Sequence, residues 1–454
     1  MAQKPTIPKG TRDFTSQEVV RRQYMMSILR EGFSLFGYQP IETPSFENSS
    51  TLLGKYGEEG DRLLFRILNS GDFLKKTTPS YLETKNSQAL ASEISEKALR
   101  YDLTVPFARY VVQHQNQITF PFKRYQMQAV WRADRPQRGR FREFYQCDAD
   151  VVGSRSLWQE VELVQLYDWV FTKLGLEGVT IKINNRKILS GIAETIGAAD
   201  KLIDFTVTLD KLDKIGHDGV VKEMLEKGIS KEAVKKAEPL FKLNSSFEDT
   251  CKTLSTFLHN STEGKEGLKA LDFINKHVQA QGLHTAHLQL DVTLARGLNY
   301  YTGAIFEVAA PPQVTMGSIG GGGRYDDLTG IFGGKNLSGV GISFGLDRIY
   351  LVLEALNLFP DTVNQTVRFL FVNFGETEAA YALKAIKALR HHNIASELYP
   401  DAVKMGKQMQ YADKKRIPFV VLAGTKEIES NTYTIKNMAT GTQEVLPLEA
   451  LIAD

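Results

Sequence analysis

Cysteine is nearly absent from this chain. Only Cys147 and Cys251 occur in 454 residues, and there is no CxxC pair. A disulfide framework and a thiolate zinc module are thereby excluded. No apolar run approaches the ~18 residues that suggest a membrane-spanning helix. The opening Met1-Ala2-Gln3-Lys4-Pro5 has no apolar stretch of the signal-peptide kind. The expectation is a cytoplasmic protein with no membrane partner. Charge of one sign is also scarce: the net charge is +2, so bulk electrostatics select no partner. No HExxH metal motif occurs, and covalent catalysis is not expected here.

Glycine is plentiful but does not form a nucleotide loop. The run Gly320-Gly321-Gly322-Gly323 fails the P-loop test, because Lys335 precedes Asn336 and Thr329 stands where the first glycine belongs. Gly339-Val340-Gly341-Ile342-Ser343-Phe344-Gly345 fits only a loosened dinucleotide fingerprint. The reading preferred for it is a strand entering a helix, with glycines for close packing.

What is present is an ordinary folding composition, 42% hydrophobic and 24% charged, with length for two to four domains at roughly 100–200 residues each. Charge is concentrated locally. Lys123, Arg124, Arg132, Arg135, Arg138, Arg140 and Arg142 face one acid, Asp134, a net +6 in 20 residues. Two readings stand: a solvated basic loop, or a site for something anionic.

Residues 16–36 have helical spacing, with Val19, Val20, Tyr24, Ile28 and Phe33 on one face, Ser16 as N-cap and Gly37 as the stop. Residues 85–98 read as an irregular loop. Thr119 to Val130 and Phe141 to Val152 alternate as two antiparallel strands joined by the basic loop. Trp158 to Leu174 reads as a helix, and about 197–285 as a helical module inserted between strand-rich regions. Leu288 to Val308 is rich in β formers, and Leu346 to Leu356 reads as a helix. After the linker-like Phe359-Pro360-Asp361, strands and helices alternate as a small α/β domain.

Four segments then stand together: Leu99-Arg100-Tyr101-Asp102-Leu103-Thr104; Arg132-Ala133-Asp134-Arg135-Pro136-Gln137-Arg138-Gly139-Arg140-Phe141-Arg142-Glu143-Phe144-Tyr145-Gln146; Leu294-Ala295-Arg296-Gly297-Leu298-Asn299-Tyr300-Tyr301-Thr302-Gly303; and Gly341-Ile342-Ser343-Phe344-Gly345-Leu346-Asp347-Arg348. In this order they closely resemble the histidyl-tRNA synthetase family of class II aminoacyl-tRNA synthetases. Pro8-Lys9-Gly10-Thr11-Arg12-Asp13-Phe14 resembles that family's opening, and Tyr38 to Phe46 its motif 1, the dimer-interface element. The third segment is peculiar to the histidine enzymes within the class.

The resemblance implies an α+β class II catalytic domain: an antiparallel six-stranded sheet flanked by helices, with a helical insertion. It also implies a small C-terminal α/β anticodon-binding domain. The divisions are 1–196 (motifs 1 and 2), 197–285 (insertion), 286–360 (histidine-specific segment and motif 3) and 361–454 (anticodon binding). The implied partners are L-histidine, ATP with Mg2+, tRNA(His) and a second copy in a homodimer. The implied reaction activates histidine to histidyl-adenylate with release of pyrophosphate, then transfers it to the 3′ end of tRNA.

Residue by residue, the resemblance implies Arg132 and Arg296 at the α-phosphate, with Arg132, Arg140 and Arg348 binding ATP. It implies Asp102, Thr104, Gln146, Asp150, Tyr300, Tyr301 and Tyr325 around histidine. An ammonium requires carboxylate and amide oxygens, and an imidazole an aromatic wall and a hydroxyl. Lys404, Lys407, Lys414, Lys415 and Arg416 are candidates for tRNA contact. Asn299 departs from the family's usual Asp, and Asp102 belongs to one of two family variants. Two other readings remain open on these residues. The synthetase-like regulatory subunit of ATP phosphoribosyltransferase lacks an anticodon domain, and class II enzymes for threonine or proline lack the Arg296 segment.

Overall fold

A computed structural model describes residues 4–243, 245–295, 300–326, 330–332, 337–364 and 367–453. Two compact units result, Met1–Leu358 and Phe359–Asp454.

The first unit is built on a sheet of strands β1 (Gln39–Pro40), β2 (Phe122–Trp131), β3 (Glu143–Val152), β4 (Val179–Asn185), β5 (Ala286–Leu290), β6 (Ala304–Ala309), β7 (Gly320–Tyr325) and β8 (Gly339–Gly345). Their order is β1-β2-β3-β8-β7-β6-β4-β5. The expectation of six antiparallel strands is corrected to an eight-stranded mixed sheet. The six from β2 to β4 are antiparallel, and β1 and β5 add to the two edges in parallel. Gln39-Pro40 and Ala286 to Leu290 are short, and their edge pairing has no sequence signature of its own.

One face of this sheet carries the apolar core. Helix α1 (Ser16–Leu35) and helix α2 (Trp158–Lys173) lie against it. Phe344 of β8 meets Phe33 of α1 at 5.9 Å between ring centres and Tyr167 of α2 at 4.8 Å. The N-cap of α1 is Thr15, not Ser16. Thr15 and Glu18 form a reciprocal capping box, and this outweighs the serine one residue on. The buried face of α1 is also turned from the expected one. It keeps the expected Ile28 and Phe33 but adds Arg22, Met25 and Leu29, while Val19 is exposed. Arg22 is drawn inward because Asp347 waits for it there.

Residues 85–98 are not a loop. They form a short helix, Ser87–Ile94, and a strand, Lys97–Leu99, that pairs with Phe46–Asn48 and Arg66–Ile67 in a small antiparallel sheet. Pairing with distant strands supplies the order that local polarity does not signal. Between Ala199 and Gln281 the described residues form only helices and their connections.

In the second unit, β9 (Phe369–Phe371), β10 (Ser396–Leu398), β11 (Phe419–Leu422), β12 (Tyr433–Asn437) and β13 (Gln443–Leu446) lie in the order β10-β9-β11-β12-β13. The first three pair in parallel. Phe369 and Phe371 pack with Ile386 and Leu389 of helix α3 (Glu376–His391). Leu370 and Val372 point the other way, onto Ala412 of helix α4 (Met405–Lys414). A parallel strand covered on both faces is apolar at every position, and Phe369 to Val372 is so.

Candidate active site

Opposite the core, the sheet carries polar side chains. Strand alternation puts Gln146, Asp148 and Asp150 of β3 on one face. Across the ladder they stand beside Gln128, Gln126 and Arg124 of β2, and on their other side Gly345, Ser343 and Gly341 of β8.

Two cavities open on this face. The inner one is lined by Asp102, Thr104, Asp148, Asp150, Tyr300 and Tyr325, among others. The outer, of about 320 Å³, includes Asp134, Arg140, Phe141, Glu307, Asp347 and Arg348. Arg132, Gln146, Tyr301 and Ser343 line both. The glycine run forms their floor as β7. A Cβ on Gly322 would lie 2.2 Å from the Gly341 carbonyl oxygen, and one on Gly341 would lie 2.0 Å from Asp150 Oδ1. These glycines clear space for strands and pocket, and do not cradle a phosphate in a loop.

Asp102 follows the strand Lys97–Leu99 and stands just before the helix Thr104–His114. Its position is fixed through Arg100, whose guanidinium donates to the carbonyls of Thr43 and Ala129 at 2.7 and 2.8 Å. Asp102 Oδ1 accepts from Tyr56 Oη at 2.8 Å and from the Val105 amide at 3.2 Å; Oδ2 accepts from Tyr300 Oη at 3.4 Å. Burial lifts its pKa, and these donors oppose the lift. Thr104 bonds the Tyr300 hydroxyl.

Asp150 is held on both oxygens. Tyr325 Oη donates to Oδ1 at 2.7 Å, and the wholly buried Arg124 reaches Oδ2 at 2.7 Å. Burial raises its pKa, with Arg124 pulling it back. Tyr300 packs edge-on against Tyr301 at 5.0 Å and Tyr325 at 6.2 Å. The three phenols form one wall, each kept protonated by burial.

In the outer cavity Arg132 lies over the Tyr101 ring at 4.2 Å and donates Nε–H to the Tyr101 carbonyl at 3.0 Å. Arg140 comes from the basic loop, 48% exposed, with Asp134 3.7 Å away. Arg348 is the third residue of helix α5 (Leu346–Ala355). It donates Nε–H to Gly139 O at 2.7 Å and Nη1–H to Ser318 O at 2.6 Å. Its neighbour Asp347 accepts from Arg12 and Arg22 on one oxygen and from the Tyr145 amide at 3.1 Å on the other. Arg296 and Asn299 lie outside the described residues.

The five tRNA candidates are all exposed but do not form one group. Lys404 and Lys407 stand at the start of α4, and Lys414, Lys415 and Arg416 at its end. Ten residues of helix separate them by about 15 Å. Lys415 also pairs with Glu397 at 3.5 Å.

The family profile described as "Histidyl-tRNA synthetase" matches residues 92–349. The chain belongs to this family. A second profile, "Anticodon binding domain", matches residues 366–453, the part that the regulatory-subunit reading would lack. The chain is 68% identical over 451 residues to a histidine–tRNA ligase of Christiangramia forsetii and 57% over 453 residues to one of Phocaeicola vulgatus; each match covers at least 99% of both chains. Among solved structures, histidyl-tRNA synthetase from Nostoc sp. PCC 7120 superposes with a TM-score of 0.83 at 29% identity, covering 100% of this chain and 99% of that one.

Sequence reasoning passed over Asp148, Arg124, Tyr56 and Asp347. For Asp148 the signal was available, since Gln146 and Asp150 place it on their own strand face. Tyr56 had none, its partner being 46 residues away, and Asp347, although inside the fourth segment, has its partner Arg12 335 residues away.

Proposed function

We infer that the chain is an ATP-dependent histidine–tRNA ligase, with the inner cavity taking histidine and the outer taking ATP. The observation carrying this reading is that the two cavities share Arg132, Gln146, Tyr301 and Ser343. A histidine whose ring lies inward presents its α-carboxylate at the shared boundary, where an α-phosphate in the outer cavity meets it.

Attack of the carboxylate oxygen on the α-phosphorus expels pyrophosphate and leaves histidyl-adenylate. The ribose hydroxyl at the tRNA 3′ end then takes the histidyl group and releases AMP. No protein nucleophile is required. Charge grows on the α-phosphate, and Arg132 from one side with Arg296 from the other would stabilise it. Arg348 and Arg140 would hold adenine and the outer phosphates. Asp102, Thr104 and Gln146 suit the α-ammonium; Asp150, Tyr300, Tyr301 and Tyr325 suit the imidazole. Among the described residues no group of three ligating side chains could hold a resident metal. Mg2+ would come with the triphosphate, and no step is assigned to it.

The divisions 1–196, 197–285, 286–360 and 361–454 complete this reading. The last would read the anticodon through stacking and base edges, with Lys404, Lys407, Lys414, Lys415 and Arg416 on its surface. A cytoplasmic homodimer is the working state. Among the described residues no helix is long and apolar enough to cross a membrane. The test is ATP–pyrophosphate exchange across the twenty amino acids. Exchange with histidine alone is expected, since a site built to hydrogen-bond a polar group rejects analogues lacking it by roughly 10⁴–10⁵. Exchange with threonine or proline instead would overturn it.

A further inference from the structure

Asp148 is a polar side chain in this site whose surroundings are incomplete among the described residues. It is 3% exposed, and it lines the inner cavity between Gln146 and Asp150. Its carboxylate accepts from the Ser343 hydroxyl, yet Oδ1 has no hydrogen-bond partner among the described residues. The cross-strand neighbour cannot help, because Gln126 spends its Nε2–H groups on Thr43 and Gln128 and is left with its own unpartnered acceptor, Oε1. Gln146 Oε1 is unpartnered as well. Three acceptors on adjoining positions thus await a donor, and a buried acceptor left unmet is costly.

The charge is equally unbalanced. Asp102, Asp148 and Asp150 are all buried at the inner cavity, and the wholly buried cation facing them is Arg124, which is bonded to Asp150. Arg132, at the boundary, lines both cavities, donates to the Tyr101 carbonyl and acts by charge on Asp102, which leaves two cations for three carboxylates among the described residues. Among the described residues, Ser343, Tyr300, Tyr301 and Tyr325 also line the cavity and bring no positive charge. Arg124 also keeps Nε and Nη1 unpartnered, yet neither bonds Asp148 Oδ1, so among the described residues Oδ1 lacks a cationic donor.

Position along β3 says which one. Gln146 lines both cavities, whereas Asp148 and Asp150 line only the inner one. Alternate residues on a strand are spaced about 6.6 Å apart. A histidine with its carboxylate at the boundary sets its α-ammonium over Gln146 and Asp148, and its ring one step further in, at Asp150 and Tyr325. We propose that Asp148 is a third substrate-binding carboxylate, its free Oδ1 accepting a hydrogen bond from the α-ammonium of bound histidine. This rests on the assignment of the inner cavity to histidine. It adds a residue that the resemblance did not include.

The test uses the full chain with Asp148→Asn, which keeps shape and removes charge. Dissociation constants for histidine and for histidinol, which retains ammonium and ring, are measured by calorimetry. Inhibition of exchange by imidazolepropionate, which lacks the ammonium, is measured alongside. A charged hydrogen bond of this kind is worth on the order of 10–100-fold. The variant should bind histidine and histidinol weaker by that factor, with the inhibition constant of imidazolepropionate and KM for ATP within about twofold of the parent. Asp148→Ser carries the same test if the first variant does not fold. Unchanged histidine affinity, or equal loss for imidazolepropionate, overturns the proposal. Asp102→Asn separates the two levels. If it alone weakens histidine, the cavity assignment stands and Asp148 is not a ligand. If neither variant does, the cavity assignment itself fails.

Discussion

Arg124 and Asp150 face each other across β2 and β3, Nη2 to Oδ2 at 2.7 Å, with the guanidinium fully removed from solvent. The pair sits at the inner end of the cavity, below Tyr325, whose hydroxyl takes the other carboxylate oxygen. It sets the orientation of Asp150 before any ligand arrives. Phe107 lies over the guanidinium at 4.2 Å, and Nε and Nη1 have no hydrogen-bond partner among the described residues.

Removing one member strands the other. Arg124→Met should lower the unfolding free energy by about 3–5 kcal/mol, the usual cost of an uncompensated buried charge. Urea denaturation of the full chain measures it. A loss below about 1 kcal/mol would mean that Asp150 is neutral in the native state.

Asp148 is lifted from 3.8 to about 7, chiefly by burial, with Arg124 opposing and Asp150 reinforcing. The folded state therefore holds this proton more tightly than the unfolded state. Its contribution favours folding at low pH and is lost as pH rises from about 4 through 7. Asp148→Asn removes that loss. Its melting temperature relative to the parent should be higher at pH 8 than at pH 5, read by calorimetry without ligands. An equal difference at both pH values would contradict the lifted titration.

On the proposed function, Arg296→Ala should keep histidine binding and lose about 10²–10³ in kcat for exchange, because Arg296 would stabilise charge that grows in the transition state. Combined with Arg132→Ala the losses should not add, since both would act on one phosphate. A raised KM for histidine at normal kcat would make Arg296 a binding residue only.

A chain ended near Pro360 should retain histidine-dependent exchange and charge tRNA poorly. The second unit has its own core around Phe369, Phe371, Ile386 and Val421. Radiolabelled charging compared with exchange on the same preparation decides it. Full charging would show that the anticodon is not read.

Much of this was legible in the residues. The β2–β3 hairpin follows from alternation around a Pro/Gly-bearing basic loop, and the β8–α5 junction from glycines ending at Leu346. The C-terminal alternation likewise reads directly. The edges did not. Gln39-Pro40 becomes a strand only because Arg124 and Tyr125 offer it a parallel partner. Lys97 to Leu99 joins a sheet through Phe46 and Arg66, which local polarity cannot reveal. The face of α1 was misread for the same reason: Arg22 scores as a surface residue until Asp347, 325 positions later, is beside it. In the site, the charged residues of the motifs were recognisable, but which oxygens remain free is a property of packing, and only the folded sheet shows it.

The strand order has a consequence for synthesis. β8 lies between β3 and β7, so the sheet is completed in its interior by the last of its strands to leave the ribosome. At about 5–20 residues per second, Val152 waits roughly 10–40 s for its partner Gly339. Throughout that interval β3 has an open edge, and the acidic face has no opposite wall. A nascent chain paused before Gly339 thus carries two half-sheets that cannot yet join. It is then that a chaperone has an exposed edge to cover.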